Sequence, residues 1–316
     1  MAQDKPTIAI SVGDINGVGL EIILREHSFV SSICHPIYCV HSEILSKAQE
    51  LLAIQISIKD QHINPPINFH SSLPDIKVGC IDEVSGRYSF ESFMHGCDLV
   101  DSRQAQALLT LPIHKESWHK AGVKFIGHTH ALRERYKKEA IMMLGCEAMF
   151  VALFTEHIAL SQVSERVKKE SLCNFLLDFA RCVQLDEPCA VLSLNPHCGD
   201  GGLMGSEDSI IANAIEIANN TLKKHIFKGP YASDSIFAPH NRAKFRYFVS
   251  MYHDVGLSVL KALYFAESIN VSLNLPIIRT SVDHGVAFDI AYQGIAHTQS
   301  YKNALLYALK AIKEST

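Results

Sequence analysis

A histidine beside an aspartate, His253-Asp254, and the run Arg279-Thr280-Ser281-Val282-Asp283-His284-Gly285 fall close together in the stretch from Phe248 to Ala296. Each follows an apolar, strand-like segment, Phe248–Tyr252 and Leu275–Ile278. In open α/β sheets ligands gather beyond the carboxyl ends of strands. Imidazole, carboxylate and guanidinium groups placed there can carry protons, ligate a metal or hold an anion. His157 and His197 also stand just past strand-like runs, Ala148–Phe154 and Cys189–Leu194. Neutral imidazole is the commonest metal ligand, and three histidines with one open position suit zinc and related ions. His157, His197 and His253 are far apart in sequence, so no spacing rule ties them together. Histidines bonded to neighbouring loops are the alternative.

The cations form a second set. Lys261 and Arg279 flank Asn270, and an arginine with a lysine and an amide suits a phosphate or carboxylate. Either could instead be an ordinary surface charge. Gly127-His128-Thr129-His130 opens a helical pattern, where free backbone amides make an anion pocket; Thr129 as a plain N-cap is the simpler reading. Lys115 follows the strand-like run Gln106–Leu111 and is another candidate anion ligand. His284–Ala296 is rich in small residues, which allow a ligand to approach the backbone closely.

These residues need a scaffold with many strand ends on one side. Thr7–Val12, Pro36–Val40, Gln106–Leu111, Ala148–Phe154 and Cys189–Leu194 read as strands. Helical patterns come between them: after Gly19, Ser42–Ala53, Ser85–Arg103, Ala131–Tyr136, Glu165–Val183 and Glu207–Lys223, with Ser300–Ile312 closing the chain. Gln61–Pro74 reads as a polar loop. Alternation of this kind predicts an α/β protein with a largely parallel sheet. Gly13-Asp14-Ile15-Asn16-Gly17-Val18-Gly19 lacks the G-x-G-x-x-G spacing of a dinucleotide fingerprint.

The 316 residues are 47% hydrophobic and 20% charged, a globular composition. A net charge of -4 offers no basic field, so no nucleic-acid partner is expected. The nine cysteines include no C-x-x-C pair, which suits reduced thiols in a cytoplasm. No apolar run approaches the roughly 18 residues of a membrane span, and the opening run is short for a signal segment. A cytoplasmic protein with no membrane partner is expected.

Five motifs carry a resemblance: Gly-Asp-x-x-Gly-x-Gly-x-Glu at 13–21, Gly-His-Thr at 127–129, Asn-Pro-His-x-Gly-x-Gly-Gly-x-Met-Gly at 195–205, Met-Tyr-His-Asp-x-Gly-Leu-x-Val-Leu-Lys at 251–261, and Arg-Thr-Ser-Val-Asp-His-Gly at 279–285. On these, the chain resembles the PdxA family of pyridoxal-phosphate biosynthesis enzymes over nearly its whole length. The resemblance implies two α/β/α domains like those of isocitrate and isopropylmalate dehydrogenases, with the active site in the interdomain cleft at a dimer interface. The expected domains are 1–125 with 285–316, and 126–284. It implies a homodimer with shared active sites and a small phosphorylated amino-acid substrate, 4-phosphooxy-L-threonine, oxidised and decarboxylated to 3-amino-2-oxopropyl phosphate. NAD or NADP would accept the hydride, and a divalent metal (zinc, cobalt or magnesium) would lower the pKa of the C3 hydroxyl and stabilise the enolate formed on decarboxylation.

Residue by residue, it implies His157, His197 and His253 as metal ligands, and His128, Thr129, Lys261, Asn270 and Arg279 as substrate ligands. His284, Gly285, Asp289 and Gly294, in the 284–296 loop, would meet the nicotinamide nucleotide. Lys261 is also assigned to the catalytic set. The base that takes the hydroxyl proton stays open among Asp254, Asp283 and Lys115. Alternatives are a dehydrogenase of another phosphorylated four-carbon acid (threonate or erythronate phosphate), a phosphate acyltransferase of the same fold, and a non-catalytic binding protein. The chain departs from the family's pattern at Ile15-Asn16 (usually Pro-Ala), Leu20 (Pro), His130 (Glu) and Tyr292 (Gly). A tyrosine at 292 is expected to avoid the left-handed backbone open to glycine.

Overall fold

Thr7–Ser11, apolar and β-branched, forms β1, and the loop after it leads into α1 (Gly19–Ile33). The computed structural model describes residues 5–66 and 73–315; part of the expected 61–74 loop lies outside them. The chain divides into two units. The first comprises Met1–Lys138, Ile269–Val271 and Leu275–Thr316; the second comprises Glu139–Ser268 and Ser272–Asn274. Both are built from alternating strands and helices, the expected α/β class.

In the first unit, β1 and α1 are followed by β2 (His35–Cys39), α2 (Ser42–Leu52), α3 (Glu83–Asp101), β3 (Ala107–Thr110), α4 (Lys115–Lys120) and α5 (His128–Tyr136). Asp82 caps α3 by accepting from the amides of Val84 and Ser85, which supplies partners for helix-start donors and sets the boundary. The parallel strands of this unit run in the order β2-β1-β3, followed by a late strand described below. Parallel strands covered on both faces read as unbroken apolar runs, and Ile8-Ala9-Ile10 and Ala107-Leu108-Leu109 are buried throughout. Against one face pack Phe93, Leu132 and Trp118, with Leu108 beneath them. The indole N–H of Trp118 donates to Ser89 Oγ at 2.7 Å, so the ring is buried without an orphaned donor.

The second unit runs β4 (Ile141–Cys146), β5 (Met149–Leu153), α6 (Val163–Arg166), α7 (Lys169–Cys182), β6 (Cys189–Leu192), α8 (Glu207–Leu222), β7 (Phe227–Tyr231), α9 (Ser233–Ile236), α10 (Pro239–Arg242), β8 (Tyr247–Ser250) and α11 (His253–Tyr264). Its strands order as β4-β5-β8-β6-β7, antiparallel only between β4 and β5. Its core includes Leu144, Val151, Leu192, Phe248 and Leu260.

The chain closes with β9 (Ile269–Leu273), β10 (Ile278–Val282) and α12 (Gln299–Ser315). β10 pairs in parallel with β3, so the first unit's order is β2-β1-β3-β10. Here the structure corrects the sequence reading. Of the expected strand Leu275–Ile278 only Ile278 is in one, as the first residue of β10: Pro276 has no N–H for a ladder, and the chain bends over 274–277. Arg279, Thr280 and Ser281 therefore lie inside β10 rather than beyond a strand end. The single helix expected over Glu165–Val183 is two, because Val167 and Lys168 leave helical geometry between α6 and α7.

Candidate active site

In the first unit, β10 places Arg279 opposite Leu108 and Ser281 opposite Thr110. Arg279 is 2% exposed, and its Nη2 donates to Thr110 Oγ1 at 2.7 Å. Burial pushes its pKa down to about 10, opposed by the Cys97 thiol, so it remains a cation at neutral pH. His128 begins α5 and its ring sits 4.7 Å from that of Phe93 and 5.5 Å, edge to face, from that of Trp118. Burial first, and the Arg279 charge second, hold its pKa well below the ordinary histidine value. A neutral imidazole keeps one N–H to donate without adding charge. Among the described residues, its Nε2 is buried with no hydrogen-bond partner, and the same is true of Asn270 Oδ1 on β9. A buried polar atom without a partner costs about 1–3 kcal/mol unless a ligand or water supplies one. Two such atoms belong to residues predicted to touch substrate.

Gly127, not Thr129, is the N-cap of α5, so Thr129 lies in the first turn, where backbone amides lack intrahelical partners. Lys115 begins α4, and its Cε comes within 3.9 Å of where a Cβ on Gly127 would stand. His130 accepts from the Ile126 amide through Nδ1 at 3.4 Å and meets Phe125 edge to face. It thus serves the turn before α5. In the same unit, the Asp283 amide donates to Ser300 Oγ.

The loop 284–296 rests on the Gly13–Gly19 loop. Val18 N donates to Val286 O at 3.0 Å, and a Cβ on Gly17 would come within 2.6 Å of that oxygen. Tyr292 Oη donates to Ile15 O at 2.6 Å. Glu21, fully buried, accepts from Ala296 N at 2.8 Å, while Arg25 donates to Ala296 O at 2.7 Å. The expectation for Tyr292 fails: its φ is +59°, in the left-handed region, and its ring is buried. Ring burial and the bond to Ile15 offset the 1–2 kcal/mol that this backbone costs. Asn16 has a comparable role, bonding Lys77 N through Oδ1 and Cys80 O through Nδ2. Gly285 and Gly294 have open space where a Cβ would stand, and Gly294 has φ +75°. His284 Nδ1 bonds Gly285 O, and Asp289 lends its carbonyl to Gln293.

In the second unit, His157 follows β5 and His253 is the first residue of α11. Their ring centroids are 5.5 Å apart. His253 Nδ1 lies 2.7 Å from Asp254 Oδ1. A carboxylate taking the Nδ1 proton leaves Nε2 as the lone-pair nitrogen, which is how a ligating histidine is oriented. The same bond, first among the causes, lowers the Asp254 pKa. His197 stands on a left-handed turn, with φ of 51°, 57°, 75°, 45° and 68° from His197 to Gly201. The base of that turn is fixed: Asp208 in the first turn of α8 accepts from Leu194 N, Asn195 N and Asn195 Nδ2. The two rings fit two positions around one ion. Among the described residues, no group of three or more His, Cys, Asp or Glu side chains is gathered to hold one. Lys261 stands seven residues after Asp254, on the same face of α11, with Nζ 5.2 Å from the Phe265 ring centroid.

Thr110 and Asp208 were missed in the sequence. Each is a polar residue beside an apolar run, and only partners distant along the chain reveal its use.

A family model described as pyridoxal phosphate biosynthetic protein PdxA matches residues 32–308. A 4-hydroxythreonine-4-phosphate dehydrogenase of Sulfurimonas denitrificans is 53% identical over 311 residues, 97% of this chain and 98% of that one. One from Helicobacter pylori strain J99 is 48% identical over 96% of this chain and 99% of its own. Among solved structures, a 4-hydroxythreonine-4-phosphate dehydrogenase from Klebsiella pneumoniae superposes with TM-score 0.81 at 27% identity, covering 99% of each chain. A phosphotransacetylase from Streptococcus pyogenes, at TM-score 0.57 and 15% identity, shares the fold alone.

Proposed function

This chain belongs to the PdxA family of pyridoxal phosphate biosynthetic proteins, and on that premise we propose that it oxidises and decarboxylates 4-phosphooxy-L-threonine to 3-amino-2-oxopropyl phosphate. It is then an NAD-dependent oxidoreductase of vitamin B6 biosynthesis. The observation that carries this reading is the buried Arg279 guanidinium beside a neutral His128, with His128 Nε2 and Asn270 Oδ1 buried and awaiting partners. A doubly charged phosphate matches the fixed Arg279 cation and an imidazole N–H donor, while Asn270 Oδ1 is an acceptor and suits a donor of the substrate, its ammonium or hydroxyl group.

Arg279, Thr129, His128 and Lys261 hold the phosphate, and Asn270 contributes an amide, so the hydroxyl-bearing C3 is held in one orientation. When bound, NAD or NADP would accept the hydride from C3, and Asp254, Asp283 or Lys115 would take the hydroxyl proton. The β-keto acid then loses its carboxylate as carbon dioxide, and a proton returns to C2. His157, His253 and His197 would hold a divalent ion. When bound, zinc, cobalt or magnesium supplies Lewis-acid polarisation of the C3 oxygen. Gly285 and Gly294, with open space above their backbones, and His284 and Asp289 in the same loop, would receive NAD or NADP. We extend to this chain the homodimer the resemblance implies, and the free state of all nine cysteines supports a reducing cytoplasm. Among the described residues, no helix is long and apolar enough to cross a membrane.

The test is formation of reduced nicotinamide from 4-phosphooxy-L-threonine by the metal-loaded protein, alongside His157→Ala and His253→Ala with their metal content measured. Turnover lost together with metal supports the assignment. Full turnover by both metal-free variants would overturn it.

A further inference from the structure

We propose that Thr110 is a positioning residue for the phosphate-binding guanidinium of Arg279. The inference rests on Arg279 being a phosphate ligand. Thr110 is the last residue of β3 and is fully buried. Its hydroxyl accepts from Arg279 Nη2 at 2.7 Å across 169 residues of sequence. The strand pair that brings them together is locked at the same point: Ser281 Oγ donates to the Thr110 carbonyl at 2.9 Å, in register with the Ser281–Thr110 pairing.

The chemistry of the acceptor matters. A carboxylate at position 110 would hold the guanidinium equally well but would neutralise the charge that the phosphate must meet. A threonine hydroxyl accepts the hydrogen bond and carries no charge, so it fixes the plane of the fork and leaves its positive potential for an incoming anion. A planar fork recognises phosphate through two parallel bonds only when its orientation is set. A supporting partner that loses its bond lets the ligand group drift by enough to spoil such a contact. Thr110 is not placed against substrate; it acts through Arg279.

The experiment measures affinity for inorganic phosphate by calorimetry on the full-length, metal-loaded protein, with the substrate KM and kcat and the affinity for NAD measured in parallel. Four variants are compared: Thr110→Val, Thr110→Ser, Arg279→Gln and the Thr110→Val/Arg279→Gln double variant. The expected result is a loss of phosphate affinity of roughly tenfold to a hundredfold in Thr110→Val, the range for a hydrogen bond to a charged group. KM should rise in step, NAD affinity should stay unchanged, and Thr110→Ser should restore phosphate binding to within a few-fold. In the Arg279→Gln background, Thr110→Val should have no further effect, because its only route to phosphate is then gone. Should Thr110→Val not fold, Thr110→Ala carries the same comparison.

Unchanged phosphate affinity in Thr110→Val, with Arg279→Gln strongly impaired, overturns this inference and leaves the phosphate site standing. Equal losses from Thr110→Val with and without the Arg279 guanidinium also overturn it, since Thr110 would then act by another route. Unchanged phosphate affinity in Arg279→Gln overturns the reading of Arg279 as a phosphate ligand and the inference with it.

Discussion

At the scale of single residues, the chemistry depends on groups that hold other groups. Asp254 is largely exposed, so its bond to His253 contributes little to folding, yet it selects which imidazole nitrogen keeps its lone pair, the one that would face an ion in the proposed function. Asp254→Asn should therefore leave the melting temperature nearly unchanged. It should weaken metal binding by roughly tenfold to a hundredfold, as loss of an orienting partner does. Competition against a metal indicator would measure this; unaltered affinity would mean that the 2.7 Å contact orients nothing. The placement of His157 and His253 was legible in the sequence. An imidazole just past an apolar strand must emerge at the carboxyl edge of a sheet, and His157 and His253 do so and meet. Thr110 was not legible, because its meaning comes from a partner 169 residues away that is set beside it only by strand pairing.

At the scale of elements, loops at the carboxyl ends of strands hold one another. Tyr292 takes a backbone conformation that suits glycine, and its hydroxyl bridges the 284–296 loop to Ile15. Tyr292→Phe keeps the ring and removes only the donor, orphaning a carbonyl, so thermal or urea unfolding should show a loss of about 1–3 kcal/mol. Tyr292→Gly relieves the backbone cost but forfeits the buried ring, and should be less stable still, because burial of an aromatic side chain outweighs 1–2 kcal/mol of strain. A glycine variant as stable as the parent would show that the ring contributes nothing. The base of the His197 turn is a second case. Asp208→Ala removes the acceptor for two backbone amides and the Asn195 amide group, which should cost about 2–5 kcal/mol by urea titration. It should also free the turn, seen as faster amide exchange over 195–205. The sequence showed most elements because apolar runs and caps are local signals. It misled over 275–277, where apolar character alone mimics a strand and the proline is what decides. It also gave no sign of β4, whose all-buried Ile-Met-Met-Leu-Gly-Cys has neither helical nor alternating periodicity.

At the scale of the whole molecule, the two units differ in how the chain builds them. The second unit is nearly continuous in sequence, whereas the first takes the chain back at Ile269 and again at Leu275. No composition signal marks such returns, because they are set by pairing between strands far apart in the chain. Burial lowers the pKa of His27, His41, His95 and His128, which belong to the first unit. A histidine with a depressed folded-state pKa is neutral in the native protein, while its unfolded counterpart takes up a proton near pH 6.5. The unfolded state then binds more protons, so stability is fully present above about pH 6.5 and falls as pH drops below it. Each such group contributes a slope of up to about 1.4 kcal/mol per pH unit. Asp14 works the other way: burial raises its pKa, so it regains stability as pH falls through its folded value. The carboxylates with lowered pKa values, Asp82 among them, act only at still lower pH. The first unit should therefore lose protection before the second on mild acidification. Hydrogen-exchange mass spectrometry at about pH 7.5 and about pH 5.5, corrected for intrinsic exchange, would measure it. The expected outcome is a selective rise in exchange across β1, β3 and α3, with β5 and β8 still protected. A uniform loss in both units would mean that they unfold as one cooperative body, and a selective loss in the second would reverse the assignment of the buried histidines as the acid-sensitive groups.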